Sequence, residues 1–327
     1  MEDVLKLAEQ TTLVTGGAGF VGSALTRVLV ELGARVVSFD DYSKGSSANL
    51  PRVPQVLDVE GDAMDPFQLT KVLRANEIDL VFNCIGDTFV PEAYEFPQRF
   101  FDRNLITTLN VLRAAKEAGI KRVLHVSSTE VYGETKEDRI DEGSALLPVN
   151  TYAVAKLAAD RLCHTFYLEH GLPVLVARIF NCFGPRATHP YLIPELIRQL
   201  SNGPSLSLGN LEAERDFTFV DDTARALAAL MTSQVPDGDV VNVGSGHAHS
   251  VAGIVKRLAA IMGVKDVRVD VDPSRLRRHD IRRFCADNRK LRTFTNWEPL
   301  VSLDEGLSRT VAWFRDNGAR WSWMPRD

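Results

Sequence analysis

Apolar residues along this chain come in short, β-branched runs separated by longer stretches in which apolar positions recur every three or four residues. The runs at residues 11–15, 35–40, 56–59, 80–85, 122–127 and 174–180 read as strands. The stretches at 23–32 (closed by Gly33), 104–118 and 152–170 read as helices. Strands that are apolar on both faces and alternate with helices predict right-handed βαβ crossovers and a parallel sheet covered on both sides.

Beyond Phe180 the pattern loosens, with Gly184-Pro185, Gly203-Pro204 and Gly209-Asn210 breaking it into short elements. Residues 239–243 read as a strand returning to the sheet, and 251–262 and 303–316 as amphipathic helices. The expectation is an α/β fold. A doubly wound parallel (Rossmann) sheet takes residues 1–180 with 217–250 returning to it, and a smaller, interleaved C-terminal α/β substrate-binding domain takes 181–216 and 251–327.

Composition narrows the function classes. The 327 residues are 45% hydrophobic and 25% charged, enough for a large core, and the net charge of -5 disfavours a broad nucleic-acid surface. Cys84, Cys163, Cys182 and Cys285 are widely spaced and form no C-x-x-C pair, which fits reduced thiols in a cytoplasmic protein. No stretch approaches the ~18 apolar residues of a membrane span, and residues 321–327 read as a loose tail. His247 and His249 lack a third ligand nearby, so no metal site is expected.

Candidate chemistry begins at the first strand. Gly17, Gly19 and Gly22 satisfy G-x-G-x-x-G, and Gly16, Gly19 and Gly22 satisfy G-x-x-G-x-x-G. Between a strand and a helix, such a turn lets backbone N–H groups approach a pyrophosphate at the helix N-terminus. Asp40 ends the second strand, where a carboxylate accepts from ribose hydroxyls and repels a 2'-phosphate. With Asp41 following and no arginine beside it in sequence, NAD is expected over NADP. Asp62 is either an acceptor for the adenine amino group or a turn residue after Gly61.

Tyr152 and Lys156 lie one helical turn apart, downstream of Ser127-Ser128-Thr129-Glu130. An ammonium beside a phenol favours the phenolate, so the pair predicts a tyrosine pKa lowered from about 10 and a base usable near neutral pH.

Together with Asn83-Cys84-Ile85-Gly86 and Asn104, these residues resemble the extended short-chain dehydrogenase/reductases that act on nucleotide sugars, over about residues 11–315. The segments 178–186, 215–222 and 280–287 are similar too. The resemblance implies that Gly16, Gly19, Phe20, Val21, Gly22, Asp40, Asp62, Ala63 and Lys156 hold NAD. It implies that Tyr152 takes a proton from a sugar hydroxyl as its carbon is oxidised, with Ser128 bonded to the same oxygen. Asp87, Asn181, Arg215 and Arg283 fall at positions that hold the nucleotide-diphosphate sugar, and helices 100–118 and 152–170 at those that often form a homodimer.

Glu130 separates the subfamilies. A 4-epimerase needs no second base, whereas a 4,6-dehydratase needs one for the C5 proton, and dehydratases and UDP-glucuronate decarboxylases commonly carry Glu just before Val-Tyr-Gly, as here at Glu130. Thr129 departs from the Asp of dTDP-sugar dehydratases and is closer to the Ser of GDP-sugar dehydratases. Ser128 stands where dehydratases commonly have Thr. Leu208-Gly209-Asn210-Leu211 resembles GDP-mannose and GDP-N-acetylglucosamine 4,6-dehydratases, and the stretch from Arg275 to Asn288 looks most like the latter.

The resemblance therefore implies an NAD-dependent 4,6-dehydratase. A 4-epimerase, a uronate decarboxylase and an NAD-sensing binding protein remain alternatives. Arg277, Arg278, Arg282 and Arg283 could be read as a nucleic-acid patch, but the acidic chain and lack of interleaved aromatics argue against it.

Overall fold

In the computed structural model, which describes residues 6–276 and 279–318, the first β-branched run forms β1 (Thr11–Thr15), buried along nearly its whole length. Gly16 leaves β1 with a positive φ, and Gly19 caps α1 (Phe20–Glu31). This helix begins three residues before the sequence pattern places it, because Gly22 lies inside its first turn. A Cβ at Gly22 would be driven into the Gly16 carbonyl oxygen, so packing of helix onto turn demands glycine where helix propensity disfavours it.

β2 (Arg35–Asp40) and β3 (Val56–Glu60) follow on one side of β1. The chain then passes through α2 (Pro66–Ala75) to β4 (Leu80–Asn83) on the other side. β3 is an edge strand, largely exposed, with Asp58 and Glu60 protecting its free side.

Residues 104–118, expected as one regular helix, divide between a π-helical turn (Asp102–Ile106) and α5 (Thr107–Ala118), which follow the short α3 (Val90–Glu95) and α4 (Pro97–Phe101). The cause is Asn104. Its Nδ2 donates to the carbonyl of Phe100 (2.8 Å), an acceptor within the helical ladder, and to that of Asp87 (3.0 Å) in the loop after β4.

β5 (Arg122–Ser128), α6 (Thr151–His170) and β6 (Val174–Ile179) extend the sheet, and β10 (Val240–Val243) returns to its far edge as expected. The finished parallel sheet runs β10-β6-β5-β4-β1-β2-β3. Strand order reverses between β1 and β4, and the crevice at a reversal, outside the carboxyl ends of the strands, is where open α/β sheets bind ligands.

Inside, Arg178 on β6 is almost wholly buried and pairs with Asp160 of α6 through Nε (2.8 Å) and Nη2 (3.1 Å). Tyr132 Oη bridges Arg178 (3.0 Å) and Asn242 (2.7 Å), so the network ties α6 to β6 and β10.

A second layer closes the crevice. β7 (Asn181–Phe183), β9 (Glu214–Phe219), β11 (Ala248–Ser250) and β13 (Arg283–Phe284) form a small sheet, and β8 (Ser205–Leu208) pairs with β12 (Arg268–Val271). Their apolar faces pack with α7 (Leu192–Ser201), α9 (Val251–Met262) and α11 (Leu303–Asn317). α8 (Val220–Met231) lies against α1 in the first layer, and so does the segment around α10 (Arg289–Thr295), whose Leu291 joins Trp297 in the Rossmann core. Residues 217–219, at the end of β9, and β11, all placed by sequence with the Rossmann layer, pair within the small sheet.

Candidate active site

A cleft of about 1000 Å³ follows the crevice between the two layers. Gly16, Gly19, Phe20, Val21, Gly22, Asp40, Asp62 and Ala63 all line one end. Asp40 is buried there, its carboxylate accepting from the amides of Ala18 (3.0 Å) and Tyr42 (2.9 Å), and burial raises its pKa against those bonds. Asp62 faces the cleft but also accepts from the Met64 amide at 2.8 Å, so the turn role and an open face coexist. Arg103, from the π-helical turn, comes to Asp41 at 3.0 Å; sequence order had placed no arginine there.

Ser128 closes β5 and caps the 3₁₀ turn Thr129–Tyr132, accepting from the Glu130 amide at 3.2 Å. Tyr152 and Lys156 project from the first turns of α6, whose N-cap is Asn150. Tyr152 packs edge to face on Phe100 with centroids 6.5 Å apart and shares a hydrogen bond with Ser128. Ser128, Thr129, Glu130 and Tyr152 line the middle of the cleft together.

The electrostatics differ from the sequence expectation. Burial pushes the Tyr152 phenol well above its ordinary value, Ser128 opposes this, and Tyr191 and Glu130 add to it. Lys156 does not counter it: Nζ turns to the strand and donates to the Val126 carbonyl at 3.0 Å, and burial pushes its pKa down to about 8. Proximity of one turn in sequence does not set the direction in which a four-carbon side chain reaches.

Asp87 lines the cleft and pairs with Arg99 Nε at 2.8 Å. Asn181 and Arg215 line it too. Arg215 lies over the Phe284 ring and reaches Asp280 Oδ1 at 3.2 Å. Arg283, expected beside them, is not in the lining. In the parallel pairing of β13 with β9, Arg283 is in register with Glu214 and Phe284 with Arg215, and side chains alternate faces. Arg283 therefore turns to the opposite face, bound to Glu214 and to the Asp138 carbonyl (3.3 Å). Arg275, held by Glu195 at 3.1 Å, lines the far end instead. Arg277 and Arg278 of the supposed nucleic-acid patch lie outside the described residues, as does the 321–327 tail.

Spacing gave no sign of an aromatic group over the cleft. Phe89 stacks on His189 at 5.4 Å, and Tyr191 Oη meets Thr88 Oγ1 at 2.5 Å across 103 residues of sequence. Thr129 Oγ1 and Asn181 Oδ1, both on lining residues, and Asn104 Oδ1 are buried without hydrogen-bond partners. Cys84 and Cys182 also line the cleft, where burial pushes each thiol up to about 12 and away from nucleophilic use. Among the described residues no group of three or more His, Cys, Asp or Glu could hold a metal, and no helix is long and apolar enough to cross a membrane.

Residues 13–310 match the sequence model of the family described as GDP-mannose 4,6 dehydratase. The chain is 30% identical over 330 residues to dTDP-glucose 4,6-dehydratase of Xanthomonas campestris pv. campestris, covering 94% of this chain and 93% of that one. To GDP-6-deoxy-D-mannose reductase of Pseudomonas aeruginosa it is 32% identical over 307 residues, covering 91% and 95%. Among solved structures, DesIV, a dTDP-glucose 4,6-dehydratase of Streptomyces venezuelae with NAD bound, superposes with a TM-score of 0.88 at 30% identity, covering 95% and 99%. Similarity of the same order extends to UDP-glucuronic acid decarboxylase 1 of Xenopus tropicalis (31%) and UDP-glucose 4-epimerase of Thermotoga maritima (30%).

Proposed function

The chain belongs to the GDP-mannose 4,6-dehydratase family of extended short-chain dehydrogenase/reductases, and from that premise we propose that it is an NAD-dependent nucleotide-sugar 4,6-dehydratase. The observation that carries the reading is Glu130: a second proton acceptor lines the cleft beside Ser128 and Tyr152, where a 4-epimerase has no use for one.

The residues present fit NAD. At Gly16, Gly17 and Gly22 a side chain would press on Cys84, Ser38 and the Gly16 carbonyl, so the turn stays tight at the start of α1, where backbone N–H groups suit a pyrophosphate, and the Asp40 carboxylate suits ribose hydroxyls. Gly16, Gly19, Phe20, Val21, Gly22, Asp40, Asp62 and Ala63, which line the cleft, would hold it; Lys156, turned to the Val126 carbonyl, is outside that lining. Bound there, NAD supplies oxidation at C4 and the matching reduction at C6.

Tyr152 accepts the C4 hydroxyl proton as its phenolate, the form that the Ser128 hydrogen bond favours against burial, while Ser128 bonds that oxygen. The C4 ketone makes the C5 proton acidic, and Glu130 removes it. Water leaves from C6, with Thr129 donating a hydrogen bond and Glu130 returning the proton to the departing hydroxyl. After the reduction at C6 a solvent proton delivered through Glu130 completes C5, and Tyr152 gives its proton up to solvent. Asn181 and Arg215 hold the diphosphate, a guanidinium being suited to phosphate oxygens. A homodimer through α5 and α6 accompanies this reading, supported by exposed Val154 and Leu168 on α6.

Mass spectrometry after incubation with UDP-, GDP-, CDP- and dTDP-hexoses and the matching uronates tests the proposal. Loss of water is expected. Loss of carbon dioxide would replace it with a decarboxylase, and an isomer of unchanged mass with an epimerase.

A further inference from the structure

Asn150 holds two partners at once. Its Oδ1 accepts from the Ala153 amide at 2.8 Å and caps α6, while its Nδ2 donates to Glu130 Oε2 at 3.1 Å. The cap fixes the orientation of the amide. A first-turn N–H needs an acceptor, so the oxygen faces the helix and the NH2 group is left facing the carboxylate. Asn150 itself is outside the cleft lining, so it acts on the chemistry through the groups it holds, the Glu130 carboxylate and the first turn of α6.

The arrangement matters because the two proton acceptors stand on different elements. Glu130 rides on the 3₁₀ turn after β5, and Tyr152 on α6. The Ser128 hydroxyl accepts from the Glu130 backbone amide, while the carboxylate lies at the end of a flexible side chain. A Ser, Thr or Asp would cap the helix as well as Asn does. Asp has no donor, and a Ser or Thr hydroxyl carries its one O–H on the very atom that caps the helix; only the amide sets a donor on a separate atom, nearer the Glu130 carboxylate.

We propose that Asn150 is a positioning residue that fixes the Glu130 carboxylate relative to Tyr152, so that removal of the C5 proton can follow oxidation at C4 without rearrangement. This rests on the reading of Glu130 as the C5 base. The titratable groups beside Glu130 come from the facing elements. Tyr152 of α6 is in electrostatic contact with it, and Tyr191, from the loop before α7, lies beyond that phenol. Burial pushes both phenols up from their ordinary range, so each is neutral in the resting site, and Tyr152 becomes a proton acceptor only as its phenolate.

Asn150→Ser and Asn150→Asp both keep an acceptor at the N-cap, so both should fold and melt near wild type. The probe is whichever of the UDP-, GDP-, CDP- or dTDP-hexoses turns over fastest. With it, Asn150→Ser should lower kcat about tenfold with KM unchanged, as expected for a misplaced base. Asn150→Asp sets a second carboxylate beside Glu130, and like charge raises a carboxyl pKa, so the acid limb of its kcat profile should move up by about one pH unit. A capping role alone would move neither quantity. Unchanged kcat and acid limb in both variants, or losses that only follow the folded fraction, overturn the proposal provided Glu130→Gln is inactive. Full activity in Glu130→Gln would overturn instead the assignment of Glu130 as base, and the positioning role with it.

Discussion

Arg103 Nη1 lies 3.0 Å from the Asp41 carboxylate and 2.8 Å from Ser43 Oγ, although 62 and 60 residues separate them in sequence. The guanidinium lines the cleft at the end where Asp40 sits, but Asp41 matches its charge and lies partly buried with it. The buried Asp40 carboxylate therefore decides the preference. Calorimetry should show NAD binding at least about tenfold more tightly than NADP. Asp41→Ser, which takes away the partner of Arg103, should narrow the gap. Equal binding of the two by the wild type would remove Asp40 as the discriminator.

Tyr152→Phe keeps the buried ring on Phe100 and loses only the hydroxyl. It should bind NAD and nucleotide sugar as before and turn over at least about a hundredfold more slowly, the scale of a lost general base. A rate near wild type would exclude Tyr152 as the proton acceptor.

Glu130→Gln should retain nucleotide-sugar binding and lose water elimination by about a hundredfold or more. In deuterated water the wild-type product should carry deuterium at C5, read by mass spectrometry and NMR. Product without C5 deuterium would point to an epimerase.

The buried Lys156 gives stability a pH dependence of definite sign. Its pKa falls from 10.5 unfolded to about 8 folded, so the unfolded chain binds more protons between those values. Its cost to the protein is thus full below about pH 8 and is relieved as pH rises toward 10.5. Lys156→Met, without added dinucleotide, should melt above wild type at pH 7, and the difference should shrink by pH 10. A difference independent of pH would mean that Lys156 stays charged in the fold across that range.

Asp160→Asn strands the buried Arg178 guanidinium, which holds both carboxylate oxygens within 3.1 Å. Breaking one side of a buried pair costs about 3–5 kcal/mol. Urea unfolding should register a loss of that size, and because Asp160 lies one turn beyond Lys156 on α6, activity should fall too. A change below about 1 kcal/mol would place the pair among those that packing alone can replace.

Local pattern was enough for the α/β architecture, the glycine turn with its Asp40, and the family resemblance, because each depends on residues close in sequence or on strand and helix periods that repeat regardless of context. The alternation of buried β-branched runs with amphipathic helices leaves few other ways to cover both faces of a sheet.

Tertiary structure decided what depends on direction and on long separations. The alternation of faces along β13 turned Arg283 away from the cleft, and the Tyr191–Thr88 contact, between residues 103 apart, left no mark in the sequence of the loop before α7 because only the folded chain brings the two hydroxyls together.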